Sequence, residues 1–131
     1  MIGLDTNTIL RYLLRDDDKQ AQRLARRVDD VIDAGHTLLI NDVVLAELVW
    51  VLQKSYDFNK NGLILTVEQL LDSPHFEFEN RDAVTVALAM FRLNKAGFTD
   101  CLIGTKNKRD GCAITLTFDR AAAKLENFEH V

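Results

Sequence analysis

Apolar and polar positions along the chain fall into two alternating patterns: short unbroken apolar runs, and longer segments where apolar residues recur with a period near 3.6. The first run, Met1-Ile2-Gly3-Leu4, ends abruptly in Asp5-Thr6-Asn7 and predicts a short buried strand. Thr6 and Asn7 are suitable N-caps for the helix that Ile9, Leu10, Leu13 and Leu14 then outline. Arg15-Asp16-Asp17-Asp18 closes it. Asp17, three residues before Gln20, resembles a capping box for a second helix, whose stripe of Ala21, Leu24, Ala25, Val28, Val31 and Ile32 ends near Gly35.

Thr37-Leu38-Leu39-Ile40 predicts a second strand, after which Asn41 or Asp42 caps a strongly apolar helix reaching about Tyr56. At 100° per residue, Glu47 falls inside the arc of Val43, Val44, Leu48, Val51 and Leu52, so its carboxylate is expected to face the core. An unpaired buried charge is costly, which leaves Glu47 paired with an arginine, set at the edge of the stripe, or committed to a metal. Leu63, Ile64, Val67, Leu70 and Leu71 outline the next helix, stopped at Ser73-Pro74. A third strand over 75–78 follows, then a helix capped by Asn80 and carrying Val84, Ala87, Leu88 and Phe91 to about Gly97. Phe98-Thr99-Asp100-Cys101-Leu102-Ile103 places an N-cap threonine and an acid at the start of a helix that Gly111 ends. Residues 112–118 are the clearest strand, rich in β-branched residues and followed at once by Asp119.

Strands that alternate with helices of crossover length predict a parallel sheet wrapped by helices, hence an α/β fold. With 131 residues, 47% hydrophobic and 27% charged, the chain is expected to form one domain spanning 1–131. The net charge of -4 runs against a nucleic-acid binder, unless the acids are concentrated at a metal site and cations elsewhere meet phosphate. Cys101 and Cys112 form no CxxC pattern and suit a reducing compartment. No apolar run approaches the roughly 18 residues of a membrane span, and no signal-peptide pattern opens the chain, so a cytoplasmic location is expected.

In a parallel sheet, Asp5 and Asp119 would stand at the carboxyl ends of strands, where ligands gather, with Asp100 and Glu47 on adjoining helices. Taken singly, Asp5, Asp100 and Asp119 serve equally well as helix caps. Together, four carboxylates without histidine or cysteine make an all-oxygen set that suits magnesium or manganese. Candidate cations for a phosphate-bearing ligand are Arg11, Arg15, Lys106, Lys108 and Arg109.

Leu4-Asp5-Thr6-Asn7, Glu47 in its apolar helix, Phe98-Thr99-Asp100-Cys101-Leu102-Ile103 and Thr117-Phe118-Asp119-Arg120 resemble the PIN-domain family, and within it the VapC-type toxins of bacterial toxin-antitoxin pairs. The resemblance runs the length of the chain. It implies a three-layer α/β/α fold with a central, mainly parallel sheet of four or five short strands. It also implies an endoribonuclease dependent on magnesium or manganese, with Asp5, Glu47, Asp100 and Asp119 as the catalytic, metal-holding acids and Asn7 and Thr117 as supporting polar residues. The partners implied are an RNA substrate, transfer RNA among the candidates, a second copy in a homodimer, and a cognate antitoxin lying on the Glu47 helix and the helix after it. Thr99 and Cys101 stand where the family usually has alanine, and neither is a ligand position. A phosphatase of the haloacid-dehalogenase type would want a second aspartate where Asn7 stands, and a receiver module would want a lysine after its last strand. A PIN-like module that binds RNA or protein without cutting is the remaining alternative.

Overall fold

The computed structural model describes residues 1–15 and 18–131. The expected capping box at Asp17 lies outside the described residues. The second helix is capped instead by Asp18, whose carboxylate accepts the Ala21 N–H at 2.7 Å. Packing divides the chain into two compact units, Met1–Glu79 and Asn80–Val131.

The first unit runs β1 (Ile2–Gly3), α1 (Thr6–Leu14), α2 (Lys19–Asp33), β2 (Leu38–Ile40), α3 (Asp42–Ser55), α4 (Lys60–Asp72) and β3 (Phe76–Phe78). Its strands form a parallel sheet in the order β1-β2-β3, with Ile2 opposite Leu38 and Leu38 opposite Phe76. Ile9, Leu38, Ile40, Leu45, Leu48, Leu52, Val67 and Leu70 are fully buried and make its core. Local chemistry sets the helix starts. Asn41 accepts the Val44 N–H and Asn59 the Gly62 N–H, each at 2.8 Å, satisfying donors that a helix leaves open in its first turn. β1 is an edge strand with Ile2 exposed, rather than the buried strand its apolar run suggests.

The second unit runs α5 (Arg81–Leu93), α6 (Phe98–Arg109), β4 (Thr115–Thr117), a 3-10 turn (Ala122–Lys124) and β5 (Phe128–His130). The buried faces of α5 and α6 carry Ala83, Val84, Ala87, Leu88 and Phe91, and Phe98, Cys101 and Leu102. The rings of Phe91 and Phe98 meet edge to face at 6.0 Å. Gly104 leaves room for the Phe128 ring, which an added Cβ would overlap. β4 pairs in parallel with β5, Thr115 opposite Phe128 and Thr117 opposite His130. Phe-Glu-His is too short to carry a strand pattern, so the alternation of apolar and polar residues does not place β5.

The α/β class and the parallel pairing agree with expectation: the described strands divide into a three-stranded sheet in the first unit and a two-stranded sheet in the second. Each strand has only two or three residues, so the sheets depend on the helices packed against them. Among the described residues no helix is long and apolar enough to cross a membrane.

Candidate active site

Asp119 is placed by a short series of local hydrogen bonds. Thr117 Oγ1 accepts the Asp119 N–H at 3.0 Å, and Asp119 Oδ1 accepts the Ala122 N–H at 2.8 Å, which fixes the carboxylate at the head of the 3-10 turn. The Thr117 hydroxyl thus holds the backbone of the segment that bears Asp119. In β4 the threonines are the sheltered residues while Leu116 and Phe118 are exposed, so the usual inward-apolar alternation is reversed here.

Asp100 occupies the first turn of α6, whose N-cap is Gly97 rather than the expected Thr99. Its carboxylate lies back toward that glycine, 4.0 Å from where a Gly97 Cβ would be. The side chain is partly buried, and burial raises its pKa above the ordinary carboxylate value; the charge of Asp119 raises it further. The structure thus brings Asp100 and Asp119 into electrostatic contact. Among the described residues, neither Asp100 oxygen has a hydrogen-bond donor, and Asp119 Oδ2 has none.

Asp5 and Glu47 belong to the first unit. Asp5 stands beyond β1 and is itself the N-cap of α1, in place of the expected Thr6 or Asn7, accepting the Thr8 N–H at 2.8 Å. The Thr8 hydroxyl and then its N–H stabilise the exposed carboxylate and lower its pKa. Asn7 is exposed in the first turn of α1. Glu47 corrects the sequence reading, because its side chain is exposed and does not face the core. α3 is apolar on most sides, so the arc alone could not tell which face is covered. Val43 and Trp50, one turn to either side of Glu47, are 76% and 57% exposed, and Leu65 on α4 is exposed as well.

The fit to a hard cation rests on the Asp100–Asp119 pair: burial and the Asp119 charge disfavour the charged form of Asp100, and three of the pair's four carboxylate oxygens have no protein donor among the described residues. A divalent ion would relieve that repulsion. Within each unit, the described residues include no group of three or more acids, histidines or cysteines arranged to hold one ion.

Most of the cations singled out from sequence have other occupations. Arg11 lies 3.8 Å from Asp18, Arg15 stacks 4.8 Å over the Tyr12 ring, and Arg109 donates to Asn80 Oδ1 at 2.8 Å. The sequence reading missed Lys95, Arg120 and Lys124, which line one cleft but carry no local signature.

A parallel α/β architecture with an acid following its first strand and another following its fourth, the latter meeting an aspartate at a helix start, defines a class of compact proteins with carboxylate-lined sites at strand ends. The PIN domain family matches this chain over residues 2–127, nearly its whole length, and the chain belongs to that family. It is also similar to a VapC ribonuclease of Aquifex aeolicus (strain VF5), 25% identical over 122 residues that cover 93% of this chain and 90% of the relative.

Proposed function

We propose that this chain is a VapC-like endoribonuclease, the toxin of a type II toxin-antitoxin pair, which folds over 1–131 as one PIN-like domain and hydrolyses RNA phosphodiester bonds in the cytoplasm with magnesium or manganese. The observation that carries the reading is the pairing of a partly buried Asp100 with Asp119, whose charge adds to the burial that raises the Asp100 pKa, in a chain of the PIN family. Asp5 and Glu47 join these two as metal-holding acids on the family pattern, with Asn7 and Thr117 in support. Bound there, the ion would supply Lewis-acid activation of the phosphoryl group and of water. The chain's own residues do the positioning: Thr117 sets Asp119, the α6 start sets Asp100, and the two carboxylates hold negative charge where a cation is needed.

RNA, with transfer RNA as the first candidate, is the substrate, and a homodimer is the working assembly. A cognate antitoxin covers the apolar face that α3 and α4 leave exposed at Val43, Trp50 and Leu65. The test is cleavage of total and transfer RNA by antitoxin-free protein, with magnesium, with manganese and with chelator. Asp100→Asn should lower the rate by roughly two orders of magnitude or more, the scale of a lost electrostatic or acid–base contribution. Equal cutting by wild type and variant would expose a contaminant. If neither cuts while RNA still binds, the chain is a non-catalytic PIN-like binding module.

A further inference from the structure

Where α5 ends, a cleft of about 360 Å³ is lined by Leu93, Asn94, Lys95, Arg120, Ala121 and Lys124. Three of these six residues are exposed cations and none is an acid. Among the described residues, Lys95, Arg120 and Lys124 make no ion pair, unlike Arg11. Uncompensated cations from two separate segments, brought into one concavity, form an anion site.

The charge of the chain is divided in the same sense. Of its 16 Lys and Arg and 20 Asp and Glu, the unit Asn80–Val131 holds eight and six, a net +2. The unit Met1–Glu79 holds eight and fourteen, a net -6, and the two give the overall -4. The acidic whole conceals a basic part, and the cleft lies entirely within it. Arg120 directly follows Asp119, so the cleft adjoins the carboxylate pair along the chain.

We propose that Lys95, Arg120 and Lys124 grip the phosphate backbone of single-stranded RNA beside the phosphodiester presented to Asp100 and Asp119; the placing of the scissile bond rests on the nuclease reading above. Two ammonium groups and one guanidinium offer charge and a bidentate fork to phosphate oxygens, while Leu93 and Ala121 offer apolar surface to the sugars. The three cations are the charged groups of the lining, and contacts from them to phosphate position a strand without carrying sequence information.

The test is fluorescence anisotropy of a labelled single-stranded RNA oligonucleotide in excess chelator, over a range of salt, with the full-length protein. Lys95→Gln, Arg120→Gln and Lys124→Gln should each weaken binding several-fold at low salt and flatten the slope of log K against log salt by about 0.7 per lost phosphate contact. Lys54→Gln, in the other unit, should change neither, and all variants should melt with the wild type. A triple variant that is folded but keeps the wild-type affinity and slope overturns the proposal. So does one that keeps RNA affinity but loses binding to a polyglutamate peptide, which would make the cleft a docking site for an acidic protein. If the triple variant loses RNA binding while wild type never cuts RNA in any metal, the cleft stands and the nuclease reading fails. If wild type cuts and the triple variant cuts with the same KM, the nuclease reading stands and the cleft fails.

Discussion

At the scale of single residues, Asp100 and Asp5 respond to pH in opposite senses. The folded-state pKa of Asp100 is raised above the ordinary 3.8, so its charged form opposes folding. Its contribution is neutral well below 3.8 and becomes a penalty as pH rises through the raised folded value. Asp100→Asn should therefore raise the melting temperature of metal-free protein at pH 7, and the difference from wild type should vanish in acid. Manganese should raise the wild-type melting temperature and move the variant less; equal shifts would place the ion elsewhere. Asp5, with its pKa lowered by Thr8, adds stability above 3.8 that is lost as pH falls through its folded value. Thr117 acts through Asp119. Thr117→Val should cost about tenfold or more in cleavage, the range for a group that orients a ligand, and Thr117→Ser should restore it while both variants melt normally.

At the scale of elements, the helices are held by caps and by shape. Asn59→Ala removes the acceptor for the Gly62 N–H and should destabilise the fold by about 1 kcal/mol, seen as a lower melting temperature. In the second unit, α6 approaches β5 closely at Gly104, beneath the Phe128 ring. Gly104→Ala should cost about 1–3 kcal/mol, as overpacking does, and Phe128→Leu in the same chain should recover part of that loss. Recovery would separate steric overlap from the small helix-propensity gain that alanine otherwise brings.

At the scale of the whole molecule, α3 leaves two large apolar side chains, Val43 and Trp50, exposed within two turns of each other. Trp50 is the chain's one tryptophan and reports on that face directly. Its emission in the antitoxin-free protein should be that of a solvated indole, and should shift to the blue when the antitoxin binds. Trp50→Ala should weaken the complex by at least tenfold, as loss of an aromatic anchor does. An unshifted spectrum in a formed complex would put the antitoxin on another surface.

The sequence by itself determined the order of strands and helices through β4, the caps at Asn41 and Asn80 and the parallel pairing. Each follows from local propensity, hydrophobic period or short-range capping, which neighbouring residues settle among themselves. Tertiary structure decided the rest. The outward turn of Glu47 depended on which side of a uniformly apolar helix was covered, and β5 on a partner strand for a three-residue segment. The raised pKa of Asp100 needed its partial burial first and Asp119 brought near it from beyond β4 second, and the cleft needed Lys95 set against Arg120 and Lys124. Burial, mutual charge and concavity belong to residues far apart in sequence, and only the packed chain makes them neighbours.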